Sequence, residues 1–484
     1  MAYMTGYGFA GFDPGWRVPA PIYPLDLITG AQPMYAYGAT KLRSAYSGSA
    51  FRVVRPSDSA TLDVGFVGQL PDYAAVDAFL GSGNGQVDIW YDQSGNGNNA
   101  PQSTSASRPV VENGATAGGP ILISGIRPVI FSGHSMALPS GVATTRRQVE
   151  TIDIVEHLHS NPAGSSLVQL GSGSDQITCF AGNVANQRGY LRANPGTGNS
   201  GFSPMTRVAR IGMISSASGV STNQNEEAVS GSAQTDVAMT GGALGSTTLS
   251  AGYNGKYYSV AKLGFGRILD AGERATLNAA LDGMFAIPSS VTRTVCFEGD
   301  SLTLGDSSSY VFGFAKMAER LLTQPARVFN LSGGGNQIQN ELALYSGQVG
   351  ALLSRYSTDN RIVLLFLGTN DLTVGARSTA QIYADIQTYA GYVRASGGKI
   401  IVATLLPNSA WNGTQQTARN DLNTLIRTNW ASFADGLADF GTDPTMGPQA
   451  AASNSALYPD GLHPSRVGHS YLAPIAAAAI QALL

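Results

Sequence analysis

Cysteine is almost absent from this sequence, and charge is sparse. The two cysteines, Cys179 and Cys296, lie far apart among 484 residues, so neither a disulfide framework nor a cysteine metal site is expected. Both are predicted to be buried as small apolar side chains. Charged residues make up 13% of the chain and the formal net charge is -3, which leaves no basic footprint for nucleic acid or an anionic membrane. The expected partner is uncharged or carries few charges.

Long apolar runs are also missing. No stretch approaches the roughly 18 apolar residues that a membrane span needs. Residues 1–21 have no basic region followed by a continuous apolar core, which is unlike a Sec signal peptide. We therefore expect synthesis in the cytoplasm and no membrane partner.

What the chain does contain indicates a folded, turn-rich protein of two domains. Hydrophobic residues make up 43% of the sequence and there are 59 glycines, whereas disordered chains lack the apolar residues that offset ordering entropy. The length exceeds one ordinary core and predicts two or three domains, of which we expect two. Residues 1–35 carry Gly, Pro and aromatic residues without periodicity, and are predicted to form an N-terminal arm and anchoring segment.

The pattern over residues 36–287 is typical of an all-β domain. Short alternating runs such as 86–100 and 127–133 are separated by Gly, Asn and Ser clusters. This texture predicts an antiparallel sandwich of the jelly-roll or concanavalin-like kind. One helix, around 71–81, is expected to interrupt it.

From residue 291 to 484 the pattern changes to strands that alternate with longer helical segments. Such alternation predicts right-handed βαβ units, and hence a parallel sheet covered by helices on both faces. Polar clusters follow the first three predicted strands, at 299–301, 332–336 and 368–371. Ligands bind outside the carboxyl ends of strands in such sheets, so these clusters are expected to converge on one rim.

Ser301 is the candidate nucleophile, because it stands between a strand and a helix where its backbone N–H can stabilise an oxyanion. A serine needs a base, and of the five histidines only His463 and His469 belong to the same predicted domain. Asp460 precedes His463 by three residues in a loop, a spacing that lets its carboxylate bind Nδ1 and leaves Nε2 facing the serine. His469 lies inside the next predicted helix and is assigned to packing or surface.

Four motifs in this region resemble, in order, blocks of the SGNH or GDSL hydrolases: Gly-Asp-Ser-Leu-Thr (299–303), Asn-Leu-Ser-Gly-Gly-Gly-Asn (330–336), Gly-Thr-Asn-Asp (368–371) and Asp-Gly-Leu-His-Pro (460–464). The resemblance covers residues 291–484. In the second block Gly335 takes the expected place when counted from Asn330, with Gly334 as the alternative.

The resemblance implies a three-layer α/β fold of flavodoxin-like type with a serine esterase site. The implied catalytic residues are Ser301, Asp460 and His463. The implied oxyanion hole consists of the Ser301 N–H, the Gly335 N–H and the Asn370 side chain. No metal and no organic cofactor is required. The acids beside the site, at 300 and 371, are expected to hold loops through backbone N–H groups.

The amino-terminal half carries a second resemblance, concentrated between Lys41 and Gln102. Its motifs at 42–46, 52–55, 81–85 and 90–97 are similar to the sandwich domain of family-B α-L-arabinofuranosidases and related lectin-like modules. Glycosidases of that family use paired carboxylates, but no nucleophilic Glu or acidic Asp can be placed by motif here. The resemblance therefore favours a carbohydrate-binding or structural sandwich over a glycosidase.

Two aromatic residues of this region, Trp90 and Tyr91, are candidates for stacking on a sugar. Strand alternation turns one of the pair inward, so core packing is favoured for at least one of them. Asp92, Asn96 and Asn98 have oxygens suited to calcium. A turn with side-chain hydrogen bonds explains these three residues as well and is preferred.

Together the halves predict a serine esterase that removes O-acetyl groups from a polysaccharide held by the sandwich. The alternatives are a lipase or thioesterase for longer acyl chains, and a non-catalytic glycan-binding virion structural protein. The layout resembles a phage tail or head spike that strips a bacterial capsule, and such proteins are commonly trimeric. The expected partners are thus an acetylated bacterial surface polysaccharide or another ester, a virion bound through the arm, and two further copies in a homotrimer. The expected final location is the virion or the extracellular space.

Overall fold

The computed structural model describes residues 21–30, 32–116, 120–157, 165–172, 175–184, 187–194, 199–202, 208–224, 227–230, 236–245, 255–287, 291–305, 313–374 and 377–484. In these ranges the amino-terminal half is a β-sandwich and the carboxy-terminal half is an α/β domain. The first 20 residues of the predicted arm, and residues 288–290 between the two predicted domains, lie outside the described residues. The domain boundaries remain predictions.

The strands of the amino-terminal half are β1 (Tyr35–Gly38), β2 (Phe51–Val54), β3 (Thr61–Val64), β4 (Phe66–Val67), β5 (Leu70–Pro71), β6 (Gly85–Trp90), β7 (Ala100–Pro101), β8 (Val110–Val111), β9 (Val129–His134), β10 (Met136–Thr145), β11 (Val149–His157), β12 (Ser165–Ser172), β13 (Asp175–Val184), β14 (Gln187–Asn194), β15 (Asn199–Phe202), β16 (Ala209–Ser216), β17 (Gly219–Gln224), β18 (Glu227–Ser230), β19 (Ala238–Leu244) and β20 (Gly255–Phe265). Its helices are α1 (Tyr73–Leu80) and α2 (Ala271–Phe285).

Two antiparallel sheets form the sandwich and confirm the predicted fold. The larger sheet runs β18-β17-β16-β11-β20-β9-β8-β6-β2-β3, with β1 also paired to β20 and β7 to β6. The smaller sheet runs β10-β19-β12-β13-β14-β15. Alternate apolar side chains of both sheets are buried in one continuous core. This is the arrangement that period-two alternation favours, since it turns one face of each strand inward.

Part of the predicted arm packs on the sandwich. Leu25 and Ile28 are buried in its core, and the Leu25 N–H donates to Leu42 O at 3.1 Å. The sandwich core therefore includes side chains from the stretch just before β1.

Helix α1 begins where the sequence predicted a helix, because Asp72 caps it by accepting the Ala75 N–H. The second helix of this half, α2, was not predicted. Its sequence carries a start signal, a reciprocal capping box between Asp270 and Glu273. Leu277, Leu281 and Phe285 lie on its buried face. That face packs on the sandwich, so tertiary burial stabilises this helix.

The carboxy-terminal domain has the strands β21 (Arg293–Gly299), β22 (Arg327–Asn330), β23 (Asn360–Phe366), β24 (Lys399–Ala403) and β25 (Gly436–Ala438). Its helices are α3 (Ser301–Leu304), α4 (Phe314–Leu321), α5 (Ile338–Leu344), α6 (Val349–Arg355), α7 (Thr369–Thr373), α8 (Thr379–Ala395), α9 (Gly413–Asn429) and α10 (Arg466–Gln481).

The sheet of this domain is parallel, in the order β22-β21-β23-β24-β25. Counted within the domain, the order is 2-1-3-4-5, which is the flavodoxin-like topology that was predicted. The order in which successive strands are added reverses at β21, because β22 lies on one side of it and β23 on the other. Ligands bind outside the strand ends at such a switch point, so the loops after β21, β22 and β23 are where a site is expected.

Helices cover both faces of this sheet. Helix α4 packs on α10, while α5, α6 and α9 pack on α8, and the strand interiors are buried throughout. A 3₁₀ turn at Tyr345–Gly347 separates α5 from α6, at a glycine, which weakens a helix. None of the described helices is both long and apolar enough to span a bilayer.

Candidate active site

Ser301 lies directly beyond the carboxyl end of β21, as the first residue of α3. Asp300 caps this short helix by accepting the Leu302 N–H at 2.9 Å. The turn requires glycine at 299, because a Cβ there would lie 2.2 Å from Thr303 Oγ1 and 2.7 Å from Phe366 O. As the first helical residue, Ser301 has no intrahelical acceptor for its N–H. The Ser301 side chain is thus presented at the rim with a backbone donor beside it.

The structure brings Ser301, His463 and Asp460 together in one hydrogen-bonded line. Ser301 Oγ lies 2.8 Å from His463 Nε2, and His463 Nδ1 lies 2.6 Å from Asp460 Oδ2. Because the carboxylate accepts from Nδ1, Nε2 is left to accept the serine hydroxyl proton. This is the geometry by which an imidazole activates a hydroxyl for attack.

Asp460 also fixes the loop that carries the histidine. Its Oδ1 accepts the backbone N–H of His463 at 2.7 Å and that of Leu462 at 3.0 Å. Burial by itself would raise the pKa of Asp460, but the hydrogen bonds from the His463 ring and from these two N–H groups hold it below its ordinary value. The carboxylate therefore stays ionised at neutral pH.

His469 does not reach the site and has the packing role expected for it. Its side chain is fully buried in α10, where Nδ1 accepts the Phe314 N–H at 3.2 Å and the ring stacks on the Phe314 ring. Burial, together with the charge of nearby His463, lowers the pKa of His469 to about 3. It is a neutral structural residue.

Gly335 lies in a turn after β22, closed by the Asn336 N–H donating to Gly333 O at 3.2 Å. Its φ of 76° is in the left-handed region that glycine adopts readily. A Cβ at either Gly334 or Gly335 would have open space around it. The backbone angle, not crowding, is what requires glycine at 335.

Asn370 lies in α7, just beyond β23. Its amide Nδ2 donates to Asp300 Oδ2 at 3.2 Å and to the backbone oxygen of Asn336 at 3.1 Å. These bonds tie together the loops after β21, β22 and β23. Both N–H bonds of the amide have partners here, so donation to a reacting oxygen requires one of them to be shared or released.

Asn336 is the residue at this rim whose connecting role the sequence did not reveal. Its backbone oxygen accepts from Asn370, and its side chain donates to Glu341 Oε1 at the start of α5. The second motif includes Asn336, but the motif alone does not show that its backbone oxygen bonds to Asn370 and its side chain to Glu341.

Asp300 and Asp371 hold loops as expected. Asp371 Oδ2 accepts the Ile338 N–H at 3.1 Å and Oδ1 pairs with Arg377 at 3.0 Å. Burial raises the pKa of Asp371, against the opposing bonds from Ile338 and Arg377. Burial, opposed by the Leu302 N–H and reinforced by the charge of Asp371, raises the pKa of Asp300 to about 7.

The sugar-stacking prediction for Trp90 is wrong. Trp90 is fully buried, with its ring 5.8 Å from Tyr37 and 6.3 Å from Phe131 in the sandwich core. Tyr91 points the other way, is partly exposed, and donates from its hydroxyl to Asp63 at 2.5 Å. Strand alternation thus places one of the pair inward, and only Tyr91 has an exposed face.

Asp92 forms the side-chain hydrogen-bonded turn that the sequence favoured. Its carboxylate accepts the backbone N–H groups of Ala36, Ser94 and Asn98, and the Ser94 hydroxyl, at 2.6–2.9 Å. The amides of Asn96 and Asn98 donate to Met34 O, which fastens the loop to β1. Within the ranges described above, no three His, Cys, Asp or Glu side chains group as metal ligands. Both cysteines are buried and unpaired.

Sequence comparison assigns each half of the chain to a protein family. Residues 297–471 match the GDSL-like lipase/acylhydrolase family, so the carboxy-terminal region is a GDSL-like hydrolase domain. Residues 24–181 match the alpha-L-arabinofuranosidase B catalytic family. The chain therefore combines two domain types, as predicted, and the second match extends beyond the segment between Lys41 and Gln102.

Individual relatives match parts of the chain. Over 162 residues it is 30% identical to alpha-L-arabinofuranosidase B of Aspergillus oryzae, in an alignment that spans 29% of this chain and 31% of that protein. An arabinofuranosidase complexed with arabinofuranosyl-alpha-1,2-xylobiose is 16% identical, with a TM-score of 0.45, over 55% of this chain and 65% of that one. The structure of TesA is 21% identical, with a TM-score of 0.34, over 40% of this chain and 100% of that one.

Proposed function

We propose that this chain is a serine esterase with Ser301 as nucleophile, His463 as general base and acid, and Asp460 as the residue that orients the imidazole. The observation that carries the proposal is the continuous line of hydrogen bonds from Ser301 Oγ to His463 at 2.8 Å and on to Asp460 at 2.6 Å. The match of residues 297–471 to GDSL-like acylhydrolases supports it.

The proposed reaction is a two-step acyl transfer. Ser301 Oγ attacks the ester carbonyl carbon while its proton passes to His463 Nε2, and the carbonyl oxygen becomes an oxyanion. The protonated His463 then gives that proton to the departing alcohol oxygen, which leaves an acyl-Ser301 ester. Water attacks this ester with His463 again as base, releasing the acid and restoring the serine hydroxyl.

Asp460 and three donors complete the proposed mechanism. The ionised Asp460 carboxylate stabilises the imidazolium that forms in each step. The oxyanion accepts hydrogen bonds from the N–H groups of Ser301 and Gly335 and from the Asn370 amide. Ser301, Gly335 and Asn370 each follow a different strand of one sheet, so the donors lie along the same rim. Asn370 supplies its N–H by giving up one of its two resting bonds.

We further propose that the substrate is an O-acetylated polysaccharide. The similarity of residues 24–181 to a family named for cleaving an arabinose-containing sugar supports a sugar as the scaffold of the ester. Within this proposal the target is a bacterial surface polysaccharide and the protein is a trimeric phage tail or head spike, attached to the virion through its first residues. The low charge, 13% charged residues, fits an uncharged glycan.

Turnover of p-nitrophenyl acetate, butyrate and octanoate by the wild type and by Ser301→Ala tests the site. We expect the variant to lose most acetate turnover, and octanoate to be a poor substrate for both proteins. Ser396→Ala is the control, because Ser396 is a partly buried serine at the end of α8 whose hydroxyl bonds to the Tyr345 hydroxyl, away from the triad. It should retain activity. Equal rates for wild type and Ser301→Ala would refute the nucleophile.

Acetate release from acetylated capsular polysaccharide, with the chemically deacetylated polymer as control, tests the substrate. Preference for octanoate in the ester series, with no acetate released from the polymer, would favour a lipase or thioesterase instead. Binding of the polymer by Ser301→Ala without turnover by the wild type would favour a glycan-binding virion protein.

A further inference from the structure

A partly buried ion pair joins the sandwich to the esterase domain beside the triad. Arg466 donates from Nη1 to Glu112 Oε1 at 2.7 Å, and the two side chains are 25% and 3% exposed. Glu112 follows β8 in the arabinofuranosidase-like region. Arg466 is the first residue of α10 and comes three positions after His463. The pair therefore connects the sandwich to the end of the loop that carries the histidine.

The position of Arg466 is not one that stabilises α10 by itself. A positive charge in the first turn of a helix opposes the helix dipole, which favours a carboxylate at that end. Glu112 supplies the carboxylate from the other domain. An ion pair with one buried partner adds little net stability, but separating it leaves the buried Glu112 carboxylate without its cation, which is strongly disfavoured. Its effect is to fix where α10 begins relative to the sandwich.

Glu112 is itself held firmly. Its second oxygen, Oε2, accepts the Ile121 N–H at 2.7 Å, and its backbone oxygen accepts from Arg127 at 3.4 Å. Arg127 forms a double hydrogen bond with Asp77 of α1 and lies 4.8 Å above the Tyr73 ring. The carboxylate is thus presented from a rigid part of the sandwich.

A second contact supports docking of the same helical face. The Arg320 guanidinium of α4 lies 5.5 Å from the ring of Tyr258 in β20. Helix α4 is linked to α10 by the bond from the Phe314 N–H to His469 Nδ1. The sandwich therefore contacts both helices that cover this side of the esterase sheet.

We propose that Glu112 is a positioning residue for the esterase site, which rests on the esterase function proposed above. By holding Arg466 it fixes the start of α10 and the loop before it. His463 Nε2 is thereby kept within hydrogen-bond distance of Ser301 Oγ. The arabinofuranosidase-like sandwich thus supplies part of the framework of the esterase site, whatever glycan it binds.

Steady-state hydrolysis of p-nitrophenyl acetate by full-length Glu112→Gln tests this role. We expect kcat to fall on the order of tenfold, with KM changed less than about twofold, since a misplacement of about 1 Å costs up to roughly 100-fold in rate. Arg466→Gln should show a similar loss. The double variant should lose no more than either single one, because both remove the same interaction. Arg466→Lys, which keeps the charge, should lose less.

Glu150→Gln is the matched control. Glu150 pairs with Arg274 at 2.6 Å, with side chains 3% and 26% exposed, and also accepts a backbone N–H, that of Leu269, at 2.9 Å. The burial and bonding are those of Glu112, but both partners belong to the sandwich half. The control variant should retain wild-type kcat.

Hydrogen exchange of the peptide covering residues 458–466 gives a readout that does not depend on turnover. It should exchange faster in Glu112→Gln than in the wild type or in Glu150→Gln. Unchanged kcat and exchange in Glu112→Gln would overturn the proposal, as would equal losses in both variants, which indicate general destabilisation. Failure of the wild type to hydrolyse any ester would refute the proposed function, while exchange would still decide whether Glu112 holds the loop.

Discussion

Replacing Asn370 by alanine should lower kcat by roughly 30- to 160-fold, a range that follows from its hydrogen bonds. An oxyanion donor contributes about 2.7–4 kcal/mol to transition-state stabilisation. In the resting structure the amide Nδ2 already donates to Asp300 Oδ2 at 3.2 Å and to Asn336 O at 3.1 Å. Turning one N–H to the oxyanion gives up a bond with a net contribution of about 1 kcal/mol. About 2–3 kcal/mol remains, which converts to the stated loss of rate.

The assay is steady-state hydrolysis of p-nitrophenyl acetate well below the unfolding temperature of the variant. The loss should appear in kcat with little change in KM, because the bond to oxygen strengthens only as charge develops. Asn360→Ala is the control, since Asn360 begins β23, the strand that precedes α7, and lies at the end of that strand far from the site. Its amide donates to Leu483 O at 2.9 Å. A fall in kcat of less than threefold for Asn370→Ala, or a change confined to KM, would show that this amide only fastens loops.

Three further predictions concern backbone, core and pH. Gly335→Ala should reduce the free energy of unfolding by about 1–2 kcal/mol, the cost of the left-handed conformation for an L-residue, and should also reduce kcat. Gly334 has no positive φ, so Gly334→Ala should leave both stability and kcat unchanged. The reverse result would assign the oxyanion donor to Gly334. Lys262→Met should lower the free energy of unfolding in urea by about 3–5 kcal/mol, because it removes the ammonium group 2.6 Å from Asp153 Oδ1 and leaves that buried carboxylate unpaired. A loss below about 1 kcal/mol would contradict this. Between pH 7 and pH 5 the buried His469, whose pKa is lowered to about 3, should cost about 2 kcal/mol of stability, because only the unfolded chain takes up its proton in that window. Asp300, with a pKa raised to about 7, favours the folded state as pH falls over the same range, so the test is whether His469→Gln gains stability relative to the wild type between pH 7 and pH 5.

The local sequence was sufficient for features that depend on neighbouring residues. The three-residue spacing of Asp460 and His463 already fits a carboxylate to an imidazole, and the structure places them 2.6 Å apart. The spacing of apolar residues after residue 291 distinguishes strands from helices, because it reflects which face of each element is buried. Strands that alternate with helices in turn indicate a parallel sheet. Capping side chains such as Asp72 and Ser465 mark helix starts through bonds that span three residues.

Contacts between distant residues were decided only by the tertiary structure. Ser301 and His463 are 162 positions apart, and the order of strands in the sheet is what closes that gap. Alternation showed that one of Trp90 and Tyr91 faces inward, but only the pairing of β6 in the sandwich decides which. Glu112 and Arg466 are 354 positions apart and belong to different domain types. No local sequence pattern predicts such an ion pair, because the two side chains meet only where the two domains pack against each other.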